Sequence, residues 1–213
     1  AGLYEPAMSA SKVEEIFETF EAKLVDLETG KYLTQAELDS MNIEPAKFDQ
    51  KKAAKTSEFS VELSGAEDIA NIKRRSKYAL VYIKQTGGKI ERMVLPVHGY
   101  GLWSVLYGFL AVGGSGNDVL GLTFYSHAET PGLGGEVDNP AWKAKWEGKK
   151  IYNNEGEVGL GVIKGEAPAG SDYKIDGLSG ATLTSRGVDN LIKYWMGEDG
   201  FGAYLTKVQN GEV

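Results

Sequence analysis

The sequence predicts an α+β fold, a mostly antiparallel twisted sheet built as a meander, with helices at one end and on one face. Four β-rich runs follow one another between Tyr78 and His127, separated by glycine-containing turns. Helical periodicity is concentrated near the two ends of the chain. A length of 213 residues with 42% hydrophobic content is enough to bury a sizeable core.

The elements follow in order. Ser11 and Glu14 have capping-box spacing, and Val13, Ile16, Phe17, Phe20 and Leu24 continue with a helical period. The period then changes, and Leu24, Val25 and Leu27 read as a strand turning at Thr29-Gly30. A short helix capped by Thr34 comes next. Residues 44–55 are Lys-rich and weakly periodic, and read as a solvated connection. "YALVYIK" and "KIERMVLPV" flank Gly87-Gly88 and predict a hairpin. "LWSVLYGFLAV" and "VLGLTFYSH" add two strands around the turn "GGSGND". In "NPAWKAKWEGKK", Asn139 predicts an N-cap and Pro140 the first helical position. "VGLGVIK" (Val158 to Lys164) reads as a strand. Val188, Leu191, Ile192 and Trp195 then define an amphipathic helix that begins close to Leu183 and ends at Gly197.

The composition closes several routes. A net charge of −7 and a pI near 5.0 argue against nucleic acid as a partner. With no cysteine there is no disulfide, thiolate metal site or iron–sulfur cluster. Two histidines argue against a His-rich metal site. The most apolar stretch, residues 101–114, is shorter than the ~20 residues that span a bilayer. The sequence therefore reads as soluble. The first residue is not Met, so a preceding segment is expected in the native protein.

The chemistry concentrates in "DGLSGATLTSRGVDNLIKYW", Asp176 to Trp195. As a hydrolase elbow, Gly177-Leu178-Ser179-Gly180-Ala181 lacks the second glycine and sits beside a meander, although His127 exists as a partner. The dinucleotide pattern fails too: after Gly159-Leu160-Gly161, Lys164 stands where the last glycine belongs and no helix follows. Two readings of the helix mouth stay open. One is an ordinary Ser/Thr cap with a glycine turn. The other is a phosphate seat, in which free amides and the helix dipole meet an anion and Thr182, Thr184 and Ser185 add hydroxyls. A second stretch, Thr130-Pro131-Gly132-Leu133-Gly134-Gly135, leaves a strand as a glycine-rich loop open to a flat apolar ligand. Trp142 and Trp146 read as core.

Together these residues resemble a known family. "DGLSGAT" is similar to the Asp-x-x-Ser/Thr-Gly-Ala-Thr/Ser signal of proteins with covalently attached FMN. "SHAETPGLG", the two-Trp segment and "GYGLW" resemble the accompanying FMN-binding domain. The tail and the opening "GLYEP" resemble its branch in bacterial sodium-translocating NADH:quinone oxidoreductases, whose nearest relative is the G-type subunit of the Rnf complex. The likeness runs from Leu3 to Gly211 and is thinnest between about Glu44 and Arg75.

The resemblance implies that a flavin transferase uses FAD to join FMN to Thr182 as a phosphoester. Asp176, Ser179, Gly180, Ala181, Leu183 and Thr184 would surround the attachment. Glu129, Thr130, Gly132, Leu133 and Gly134 would meet the flavin from the glycine loop. It also implies a single preceding transmembrane helix, a flavin domain on the periplasmic side of the inner membrane, and electron relay among the subunits of a sodium-exporting complex. Residues 1–75 are expected to pack as an α/β segment on an FMN-binding domain of residues 76–213. A non-redox binding or assembly module, with the Thr182 loop as a mere cap, is the alternative.

Overall fold

A computed structural model describes residues 19–213. The expected capping box at Ser11 and Glu14, with Val13, Ile16 and Phe17, lies outside the described residues. Phe20 and Leu24 depart from that helical period: Phe20 sits in a bend and Leu24 inside a strand.

The strands are β1 (Glu21–Asp26), β2 (Ser60–Glu62), β3 (Arg74–Ser76), β4 (Tyr78–Thr86), β5 (Lys89–Tyr100), β6 (Val105–Gly113), β7 (Val119–Ser126), β8 (Gly161–Val162) and β9 (Lys174–Ile175). The main sheet has the order β1-β4-β5-β6-β7, antiparallel throughout. The expected four-strand meander is therefore present, and β1 extends it along β4, with Leu24 opposite Leu80. Gly87 and Gly88 both have positive φ (59° and 78°), the geometry of a two-residue hairpin turn.

The helices are α1 (Gln35–Met41), α2 (Gln50–Ala53), α3 (Pro140–Lys143), α4 (Thr182–Met196) and α5 (Gly202–Asn210). Thr34 caps α1 in a full capping box with Glu37. Asn139 caps α3 with Pro140 at its start. Alternation along β5 sends Met93, Leu95 and Val97 to one face, where they join Val188, Leu191, Ile192 and Trp195 of α4 and Tyr204 and Leu205 of α5 in the main core. A smaller cluster of Leu24, Leu38 and Leu80 lies under α1. Trp142 and Trp146 are core residues, edge to face at 5.5 Å.

Three expectations are corrected. Val158 to Lys164 is mostly irregular, and only Gly161–Val162 pair, in parallel, with Lys174–Ile175. The Lys-rich residues 44–55 are not a bare connection, since they hold a 3-10 turn and α2, with Ala53 buried. The strand expected from Leu102 begins only at Val105, because Leu102–Ser104 belong to a turn closed by Gly101 N–H donating to Ser104 C=O at 2.8 Å.

α4 is pinned to the end of β5. The Trp195 indole N–H donates to His98 C=O at 2.7 Å, and a Cβ on Gly99 would lie 2.5 Å from Leu191 Cβ. This close approach sets the N-terminus of α4 beside the β5–β6 turn and the loop that leaves β7.

Candidate functional site

Ala181 is the N-cap of α4 and supplies no side-chain acceptor, so the first-turn amides stay open to an anion. Thr182 is the first helical residue and is exposed. Its hydroxyl makes no hydrogen bond among the described residues, whereas the two neighbouring hydroxyls are occupied. Thr184 is fully buried and its hydroxyl donates to Glu129 Oε2 at 2.6 Å. Ser185 is 4% exposed; its hydroxyl donates to Ala181 C=O at 3.0 Å and accepts Leu178 N–H at 2.8 Å.

The loop before α4 is shaped by short contacts. Gly180 has φ +71°, and a Cβ there would lie 3.0 Å from Leu133 Cδ2, so the two predicted loops meet at this point. Ser179 is exposed, and Leu178 and Ala181 are turned inward. Asp176 accepts Ala167 N–H at 2.6 Å and pairs with Lys145, while its own carbonyl accepts the Trp142 indole N–H at 2.9 Å. The Lys145 partner, then the Ala167 amide, holds the Asp176 carboxyl below its ordinary range.

In the glycine loop, Thr130 C=O accepts Leu133 N–H and Gly135 N–H, and Leu133 is 44% exposed. Gly132 has φ +75° with open space around it. Gly134 does not present backbone to a ligand: it is buried, and a Cβ there would lie 2.5 Å from Thr184 Oγ1 and 2.8 Å from Glu129 Oε2. Its smallness serves internal packing. Glu129 is 5% exposed and accepts the backbone N–H groups of Leu102, Trp103 and Ser104 as well as the Thr184 hydroxyl. Burial pushes its pKa up, but those hydrogen bonds outweigh it and hold the carboxyl below its ordinary value.

Sequence reasoning missed Leu102 and Trp103 by placing them in a strand. The turn exposes both, Trp103 at 64%. The tetrapeptide Gly101 to Ser104 before an alternating strand was the readable signal. His127 contacts Asp138 and the Glu129 N–H through its two ring nitrogens, which leaves neither for Ser179 as a hydrolase base would require. Among the described residues no cluster of His, Cys, Asp and Glu could hold a metal ion. A groove of about 940 Å³ among residues 35–59 contains none of the motif residues.

The site fits a phosphate-bearing flavin. It combines uncapped helix amides, an unengaged hydroxyl at the first helical position, and exposed apolar groups from Leu102, Trp103, Leu133 and Leu183. Fold and site thus define a flavin-binding protein, and residues 101–197 match the FMN-binding domain family. The chain is 50% identical to NqrC, the C-type component of the Na(+)-translocating NADH-quinone reductase, of Pseudomonas aeruginosa, over 100% of this chain and 80% of that one. It is 45% identical to the corresponding protein of Vibrio alginolyticus, over 96% and 77%. The crystal structure of Shewanella oneidensis NqrC superposes with a TM-score of 0.85 at 31% identity, covering 99% of this chain and 93% of that one. The chain belongs to the NqrC family of Na(+)-translocating NADH-quinone reductases. No helix among the described residues is long and apolar enough to cross a membrane.

Proposed function

We propose that this chain carries FMN as a phosphoester on Thr182 and relays electrons between other subunits of a sodium-translocating NADH–quinone reductase. The observation that carries the attachment site is the division of labour among three hydroxyls in one helical turn. Thr184 and Ser185 are buried and hydrogen-bonded, while Thr182 is exposed and unengaged. A phosphate on Thr182 meets the open amides of α4, a placement worth ~0.3–1 kcal/mol per charge when exposed. The covalent bond keeps the cofactor from dissociating during turnover.

Bound FMN supplies the electron chemistry; the chain supplies position and electrostatics. Leu133, packed near Gly180, and the exposed Leu102, Trp103 and Leu183 offer apolar surface to the ring. Ser179, Gly180 and Ala181 form the loop beneath the phosphate. Thr130 and Gly132 shape the facing loop, while Asp176, Glu129, Gly134 and Thr184 act from behind it through the contacts described above. No acid or base is required of the protein. Residues 76–213 are the flavin-binding unit in this reading, with residues 1–75 packed on it.

A flavin transferase loads Thr182 from FAD, and the remaining subunits of the complex are the redox partners. The natural protein is held to the bacterial inner membrane by a helix preceding Ala1, with the flavin domain on the periplasmic side.

The test is coexpression with the transferase. Wild type gives a yellow protein and a fluorescent band on a denaturing gel. Thr182→Val gives folded protein without the band, and Thr184→Val keeps it. A band surviving in Thr182→Val, mapped to another residue, overturns the assignment. Colourless wild type under these conditions favours the non-redox module.

A further inference from the structure

Glu129 stands out as a buried carboxylate with no cation partner among the described residues. A buried charge is costly unless compensated, and here donors alone compensate it. Oε1 accepts N–H from Leu102 at 3.2 Å, Trp103 at 3.0 Å and Ser104 at 3.2 Å. Oε2 accepts the Thr184 hydroxyl at 2.6 Å and shares Leu102 N–H at 3.2 Å. Three consecutive amides converging on one carboxylate make an anion nest inside the protein.

The carboxylate is also walled in. A Cβ on Gly101 would lie 2.7 Å from Oε1, and one on Gly134 would lie 2.8 Å from Oε2. A ligand atom has neither room nor a free lone pair there. Glu129 therefore does not contact the flavin, although it sits in the middle of the site. What it joins are two pieces of backbone: the turn that exposes Trp103 and the first turn of α4 that exposes Thr182. The Ser104 hydroxyl strengthens the link by accepting Ala128 N–H at 2.8 Å.

We propose that Glu129 is a positioning residue whose carboxylate clamps the Leu102–Ser104 turn to the N-terminus of α4, so that the aromatic face of Trp103 and the attachment hydroxyl of Thr182 keep one fixed relation. The clamp makes a tethered ring rigid. Without it, a flavin bound only through its phosphate would swing on the Thr182 side chain. This inference rests on the reading of Thr182 as the flavin site.

The experiment uses the full chain, coexpressed with the transferase, as wild type, Glu129→Gln, Thr184→Val and Trp103→Ala. The gel band reports attachment; native flavin emission and its anisotropy report the freedom of the ring. Gln keeps the shape of Glu129 but loses the charge that several amides share. Glu129→Gln is expected to keep the band, with lower anisotropy and several-fold brighter emission. Trp103→Ala should brighten emission without lowering the melting temperature. Thr184→Val cuts the α4 side of the clamp and leaves the turn side intact, so it should also lower the anisotropy, and it serves if Glu129→Gln does not fold. A variant with a lower melting temperature but wild-type emission and anisotropy overturns the proposal, as does loss of the band from folded Glu129→Gln. Absence of the band from wild type sinks the Thr182 reading instead. The clamp is then read from amide exchange in flavin-free protein. Thr184→Val should accelerate exchange at Leu102–Ser104, and unchanged exchange there overturns the clamp.

Discussion

Ser185 Oγ accepts the Leu178 N–H at 2.8 Å and donates to Ala181 C=O at 3.0 Å, so one buried hydroxyl closes the loop that precedes α4. It resembles a capping interaction displaced into the helix: the cap residue Ala181 has no polar side chain, and a residue one turn later reaches back. The hydroxyl that stabilises the loop is thereby distinct from the hydroxyl proposed to carry the flavin.

Ser185→Ala should separate these two roles. It strands the Leu178 N–H, whose residue is 7% exposed, and a buried donor left unpaired costs about 1–3 kcal/mol. Urea unfolding should show that loss, while the flavin band on a denaturing gel persists. Loss of the band with full stability would place Ser185 in the attachment chemistry.

Gly134→Val should act on the site from within. Its Cβ would press on Thr184 Oγ1 at 2.5 Å and Glu129 Oε2 at 2.8 Å, and overpacking of this kind costs about 1–3 kcal/mol. The expected result is a lower melting temperature and a shifted flavin absorbance with the covalent bond intact. Gly134 is not among the positive-φ residues, so crowding is the cause. An unchanged spectrum would mean the glycine loop does not shape the ring's surroundings.

Asp176→Ala removes the acceptor of Ala167 N–H and the partner of Lys145, but leaves the carbonyl that holds Trp142. The Lys145 pair is partly exposed and contributes little, so the stability loss should stay near the ~1 kcal/mol of one hydrogen bond. The protein should fold and accept flavin poorly when coexpressed with the transferase. Normal incorporation, measured as flavin absorbance per chain, rejects a role for Asp176 in attachment.

His98 should govern stability in mildly acidic solution. Burial, then the nearby Lys51 charge, lowers its pKa from the ordinary 6.5 to about 4. It packs between Tyr107 and Trp195, with ring centroids at 5.4 Å and 4.9 Å. The folded state holds the ring neutral, so the unfolded chain takes up the proton first as pH falls. This part of the stability is complete above pH 6.5, declines as pH falls towards about 4, and changes no further below that. The carboxyls with lowered values, such as Glu129 and Asp176, start from 4.5 and 3.8 and act below this window. The urea midpoint of wild type should therefore drop between about pH 7 and about pH 4.5, and His98→Phe should flatten that drop. Equal slopes in both proteins would show that His98 is not the titrating group.

The sequence by itself determined the features that depend on neighbours a few residues apart. Thr34 and Asn139 were legible as caps because a cap acts over about three residues. Gly87-Gly88 announced the hairpin because both positions need positive φ. The apolar stripe of α4 and the Asp176-to-Thr182 signal were readable for the same local reason. Tertiary structure alone decided the rest. Leu102 and Trp103 look like the start of a strand until Glu129, far along the chain, draws their amides into a turn. Gly134 looks like a ligand-facing glycine until Thr184 and Glu129 are found against it. Thr182, Thr184 and Ser185 carry chemically similar hydroxyls, and no spacing rule distinguishes them. Their difference arises only when α4 docks on β5, which buries two of them against partners from the preceding loop and from Glu129, and leaves the first facing solvent with its oxygen unengaged.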